Sequence, residues 1–180
     1  MRALVVVLVG LVTGLLPCPG ATLEKLSLDE LIGKATAIVH GRVTGATATY
    51  RGSVIYTAYQ VQVVDRMKGP SLGAIQVLVP GGTVAGVRQS VSGAPKLAEG
   101  SEYLLFLWSA RSGATYILGL TQGVFTLSKN AAGDVVVSRK ASGETMLERG
   151  TLRVVQDEAL EVRLEDVKAL VAATTHGAGN

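Results

Sequence analysis

From Val54 to Met67 the chain alternates with period two: Ile55, Thr57, Tyr59, Val61 and Val63 fall on one face, Gln60 and Gln62 on the other. Successive side chains of a strand point to opposite sides, so the pattern predicts one long strand with a buried face and a wet one. Such a strand needs antiparallel partners, and a mainly β fold follows. "ATAIVHGRV" supplies the strand before it, with Val39, Gly41 and Val43 opposed to Ile38, His40 and Arg42; Arg51, Gly52 and Ser53 form the turn between the two. Lys68, Gly69 and Pro70 close the long strand.

Three more strands are predicted downstream. "AIQVLVP" turns Ile75, Val77 and Val79 inward, and "EYLLFLWS" is apolar on both faces, so a second layer has to cover its far side. "TYILGLTQGVFTLS" reads as a fifth strand kinked near Gly119 and Gly123, where a bulge or corner is expected. "KNAAGDVVVS" adds a turn and a short return strand, and residues 139 to 150 read as a polar connector. The expected single core gathers Val39, Val43, Tyr59, Val61, Val63, Val77, Leu105 and Phe125.

Helices bracket the strands. Ser27 and Glu30 have capping-box spacing, Asp29 and Glu30 suit the positive helix start, and Leu28, Leu31 and Ile32 make an apolar stripe that Gly33 ends. Near the other end Leu160, Leu164, Val167, Leu170 and Val171 recur at helical spacing, with Glu165 and Asp166 marking the start. This second helix is the candidate cover for the outer apolar face, and the tail after Thr174 is expected to fray.

The first 20 residues have the layout of a secretory signal: Arg2, an uncharged apolar run from Leu4 to Leu16, then Pro17 and small residues. The run is shorter than the roughly 20 apolar residues of a membrane span. Cleavage after Gly20 places Cys18 and Gly20 at the small-residue positions; lipid attachment through Cys18 is the alternative, disfavoured by Pro17. Cys18 is the sole cysteine, so a chain cut at residue 20 forms no internal disulfide and no thiolate metal site. Setting Arg2 aside, 16 basic residues face 14 acidic ones with both signs scattered. That balance offers neither a nucleic-acid footprint nor a polybasic membrane patch.

Enzyme signatures were sought by spacing. The sequence has no G-x-S-x-G elbow, H-E-x-x-H helix, S-x-x-K pair or phosphate-cradling loop. His40 lies mid-strand and His176 in the tail, so His40 reads as a surface strand residue rather than a ligand. The acidic run of residues 157 to 166 lacks EF-hand spacing and reads as a solvated helix face. No catalytic residue, metal site or cofactor is expected.

"ATAIVHGRV", "YTAYQVQVVDRMKGP" and "EGSEYLLFL" together resemble the OB-fold of netrin-like and metalloproteinase-inhibitor (TIMP-like) modules. "VPGG", "VSGAP" and "QGVF" are similar to segments of a group of uncharacterised secreted bacterial proteins. The resemblance spans roughly residues 27 to 128 and implies a small five- or six-stranded OB-like barrel, with a short N-terminal helix and a C-terminal helix packed outside. The expected organisation is a signal over residues 1–20, the barrel over 27–138, and a connector, helix and tail over 139–180. Inhibitors of the TIMP type chelate zinc through an N-terminal cysteine. Beyond Cys18 this chain has none, so that route is closed to it.

The stretch "VPGGTVAGVRQSVSGAP", residues 79 to 95, is too rich in β-branched residues for a plain linker and too long for a simple turn. A small hairpin with Arg88 and Gln89 near its tip is expected, acting either as a binding loop or as a flap over the barrel mouth. Arg88, Gln89 and Gln122 are the candidate binding residues. The expected function is a secreted or periplasmic, non-enzymatic module engaging an exported protein such as a protease. The alternative is an exported hydrolase drawing on Ser90, Ser92, Arg88 and the acids of 157 to 166.

Overall fold

The alternating stretch does become a strand. In the computed structural model, which describes residues 22–177, it is Val54–Lys68, paired antiparallel with Ala37–Arg51. The expected signal with Cys18, the side chain of His176, and residues 178–180 lie outside the described residues.

In chain order the elements are β1 (Thr22–Glu24), α1 (Leu28–Lys34), β2 (Ala37–Arg51), β3 (Val54–Lys68), β4 (Ala74–Pro80), β5 (Gly82–Val84), β6 (Val87–Gln89), β7 (Glu102–Ser109) and β8 (Thr115–Ile117). A 3-10 turn (Leu120–Gly123) leads to β9 (Val124–Lys129), β10 (Val135–Arg139), β11 (Thr145–Leu147), β12 (Val154–Val155), β13 (Leu160–Arg163) and α2 (Leu164–Gly177). Among the described residues no helix is long and apolar enough to cross a membrane.

The main sheet runs β13-β10-β9-β7-β2-β3-β4-β8, and β8 also pairs with β7. Strands β7, β2, β3, β4 and β8 thereby make a partly closed ring, with β9, β10 and β13 extending from it as a wing. Register shifts after Ile38, His40 and Val43 put irregularities into the long β2–β3 pair. Bulges bend and twist a strand, which curls this pair into the ring.

The expected single core is two. Inside the ring Val39, Val43, Tyr59, Val61, Val77, Leu105 and Leu107 pack together, with Val63 half-buried against them. Outside it α1 and α2 cover Ile38, Leu104, Phe106, Phe125 and Val137. Strand β7 serves both, turning Leu105 and Leu107 inward and Leu104 and Phe106 outward. Phe125 was expected in the core with Val61 and Leu105. It sits opposite Leu104 across the β7–β9 pair, and cross-strand partners share a face, so it belongs to the outer core.

The predicted kinked fifth strand forms as β8 and β9, interrupted at the predicted kink. Gly119 takes a left-handed φ of 66°, and a Cβ on Gly123 would run into the Leu118 carbonyl. Both β8 and β9 run antiparallel to β7, so the 3-10 turn is a kink that interrupts the run without reversing it. Strand β8 closes the ring beside β4, and β9 continues along the same edge of β7, pairing with Tyr103–Leu105 where β8 pairs with Leu107–Ser109.

Helix α1 starts as its sequence predicts: the Glu30 amide donates to Ser27 Oγ at 3.2 Å, and the Ser27 amide donates to Glu30 Oε2 at 3.0 Å. Helix α2 starts four residues later than the apolar spacing suggests, because Leu160 is taken into β13 opposite Arg139. It extends to Gly177, past Thr174, where fraying was expected. Its Leu164, Val167 and Val171 are buried, as the covering role requires, whereas Leu170 is exposed. Residues 139 to 150 are not a bare connector: β11 lies within them and pairs in parallel with β1. The segment after residue 138 also supplies a main-sheet strand, β13.

Candidate functional site

The glycine-rich excursion folds into the hairpin β5–β6. Ala85 and Gly86 form its two-residue tip with φ of 48° and 80°, the pair of positive values that a type I′ turn demands. The hairpin is fastened to β3. The Gly81 amide donates to the Ile55 carbonyl at 2.7 Å, Thr57 Oγ1 donates to the Gly81 carbonyl at 2.8 Å, and the Ile55 amide donates to Gln89 Oε1 at 2.6 Å. Gly82 permits the contact: at φ 143° its Cβ would sit 2.8 Å from Thr57 Oγ1 and 3.0 Å from Ala48 Cβ.

Alanine at a left-handed position costs roughly 1–2 kcal/mol relative to glycine, and asparagine tolerates it better. Ala85→Asn should therefore stabilise the hairpin by about 0.5–1 kcal/mol. Slower proteolysis within residues 82 to 90 is the readout; faster cleavage would show that the turn is not held in this form.

Between the hairpin and residues 90 to 96 lies a groove of about 260 Å³, bordered by Thr57, Tyr59, Arg88, Gln89, Ser90 and Lys96. The segment after it is held by two buried tyrosines. Tyr59 Oη accepts from the Leu97 amide at 3.4 Å and Tyr103 Oη from the Ala98 amide at 3.0 Å, while Leu97 plugs the ring interior. The loop is thus rigid on the ring side and polar on the groove side.

The three sequence candidates fare differently. Arg88 is exposed on the groove wall, on the return strand rather than at the tip. Gln89 borders the groove, but its amide oxygen is engaged by Ile55. Gln122 is 1% exposed: its Oε1 accepts from the Leu26 amide at 2.8 Å and its Nε2 donates to the Glu24 carbonyl at 3.0 Å. That side chain fastens the segment between β1 and α1 to the 3-10 turn. Lys96 joins Arg88 instead, one residue beyond the Pro95 boundary that the sequence suggests. Neither makes an ion pair among the described residues.

Of the groups offered for a hydrolase, Arg88 and Ser90 border the groove together, while Ser92 and the acids Asp157, Glu165 and Asp166 are engaged elsewhere. Ser92 Oγ donates to the Glu144 carboxylate, at 2.9 and 3.0 Å from its two oxygens. His40 is bonded to Glu102 at 2.8 Å, and Arg42 pairs with the same carboxylate. The His40 hydrogen bond, then that from Arg42, hold the Glu102 carboxyl below its ordinary pKa. The acids of 157 to 166 do not form one helix face, because β13 interrupts them: Asp157 pairs with buried Arg139, Glu165 with Lys168, and Asp166 with Arg163. Among the described residues no group of three or more His, Cys, Asp or Glu side chains could hold a metal ion. Set against family models, curated proteins and solved structures, the chain matches none of them.

Proposed function

We propose that this is an exported, non-enzymatic binding module with an OB-like barrel, which engages another exported protein, such as a protease, through the hairpin groove. The carrying observation is that the hairpin is tied to the ring by its backbone and by Gln89, leaving Arg88 exposed beside Lys96 with no carboxylate partner among the described residues. A charged side chain that holds nothing in its own fold, on a wall fixed by a rigid scaffold, is suited to a partner. The OB-like part draws support from the ring order. Numbered along the chain, its strands follow one another as first, second, third, fifth and fourth, with the third and fifth parallel, which is the order of an OB barrel. Export rests on the leader pattern of residues 1–20.

Arg88→Ala tests the site. Arginine's planar fork grips a carboxylate in a way lysine does not copy. The variant should lose partner capture from native secretions or periplasm while its stability stays within about 0.5 kcal/mol of the parent, as expected for a surface change. Undiminished capture would remove Arg88 from the site. A large drop in Tm would mark the hairpin as a structural flap.

A further inference from the structure

The groove beside Arg88 has a neighbour. Ala94, Pro95 and Lys96 also border a second, larger groove of about 620 Å³, which continues along the wing past Tyr103, Thr121 and Thr126 to Lys140. The two adjoin across a shared wall, Ala94 to Lys96.

Their charge is one-sided. Arg88, Lys96 and Lys140 face them without an ion-pair partner among the described residues. Arg139 lies beneath with its charge already matched by Asp157. The one carboxylate on the lining, Glu144, is held by Ser92. Two polar atoms beneath the floor lack partners. Among the described residues the buried side-chain nitrogens and oxygens without a hydrogen-bond partner are Thr121 Oγ1 and Arg139 Nε, and both residues line the second groove. Both atoms are shut off from the groove, so they belong to the packing beneath it.

The hairpin adds a backbone template. Among the described residues strand β6 pairs only with β5. In a two-residue hairpin the flanking pair, here Val84 and Val87, exchanges the hydrogen bonds, and the next pair does not. That next pair is Thr83 and Arg88, so the Arg88 amide and carbonyl point away from β5. An extended peptide could dock there by strand addition, with its main chain on β6 and alternate side chains in the groove.

Resting on the binding-module reading above, we infer that the partner segment is an extended acidic peptide. It adds to the free edge of β6 at Arg88 and sends carboxylates to Arg88, Lys96 and Lys140 across the two adjoining grooves. Three cations spaced among Tyr59, Val91, Ala94 and Pro95 suit a peptide of mixed acidic and apolar side chains. A densely charged polysaccharide would call for a continuous basic track.

The test uses the purified protein and a fluorescent peptide of about eight residues, ordinary strand length, alternating glutamate with valine. A second peptide carries glutamine for each glutamate. The acidic peptide should bind at least tenfold more tightly, and the preference should shrink as salt is raised. Lys96→Ala and Lys140→Ala should each weaken binding severalfold with unchanged thermal melts. Equal binding of the two peptides would overturn the inference, as would undiminished binding by the double lysine variant. So would a sulfated polysaccharide that binds more tightly and responds to the same lysines. If native-partner capture depends on Arg88 but the acidic peptide does not bind, the acidic-strand inference falls and the module stands. If the peptide binds through the lysines but no native capture depends on Arg88, the groove's ligand class stands and the exported-partner reading falls.

Discussion

Phe106→Ala is expected to destabilise the protein by about 3–5 kcal/mol, the usual cost of emptying a buried phenylalanine site. Phe106 is fully buried, and its ring centre lies 5.5 Å from that of Phe125 in the layer under α1 and α2. A domain of this size is stable by only about 5–15 kcal/mol, so the variant consumes a large part of the total. At about 2–4 °C per kcal/mol, Tm should fall by about 6–20 °C. The effect should rival that of Leu105→Ala, expected to cost about 2–5 kcal/mol by opening the ring interior. Denaturant unfolding of the two variants compares the cores directly. A large loss for Leu105→Ala beside a shift under about 1 kcal/mol for Phe106→Ala would mean that the helical layer adds little and the ring stands alone.

That comparison bears on how much of the fold was legible in residues alone. Strand β3 was legible because its one-sided burial leaves a period-two trace from Ile55 to Val63. The two-sided burial of β7 was equally plain in "EYLLFLWS", and so was the need for a cover. What pattern could not assign was the face of Phe125, since facing follows from register with Leu104, and register is a property of the pair. The kink at Gly119 was legible from its glycines, but the pairing of β8 with β4 as well as β7 was not, because pairing is a property of the partners. Short β11 was hidden because three residues held by β1 carry no periodicity of their own.

The site was legible in part. Composition singled out the hairpin, and Arg88 lies on its groove-facing strand. Lys96 was not found because it lies just past the loop's expected Pro95 boundary, and Lys140 because only the folded wing brings it to the groove that Lys96 borders. Gln122 drew notice beside the glycine kink, and its amide proved to be spent on the backbone of Glu24 and Leu26.

The same wing carries the second large expected effect. Asp157→Asn should cost about 3–5 kcal/mol, the penalty for leaving a buried charge without its partner. The Arg139 and Asp157 side chains are 4% and 0% exposed, and the guanidinium donates twice to the carboxylate, at 2.7 and 3.0 Å. The Ser142 amide also donates to Asp157, at 2.7 Å, so one carboxylate secures both β10 and the chain beyond it. Burial pushes the Asp157 pKa up most strongly. The hydrogen bonds from Arg139 and Ser142, with the Arg139 charge, together outweigh it and leave the carboxyl below its ordinary value. A depressed folded pKa stabilises fully above the unfolded value of about 3.9 and ceases to do so as pH falls through the folded one. The parent should therefore lose stability progressively below about pH 4, and Asp157→Asn should lack Asp157's share of that acid limb. Replacing both partners by apolar residues, Arg139→Met with Asp157→Leu, should recover much of the loss, because no charge is then stranded. Urea unfolding at pH 7 and pH 3 on parent, single and double variants measures all three expectations. A single-variant cost under about 1 kcal/mol at pH 7 would show that water reaches Arg139 and that the pair does not anchor the wing. Because Arg139, Ser142 and Lys140 border the second groove, a destabilised wing should also lose the acidic peptide, whereas the apolar double variant should retain it.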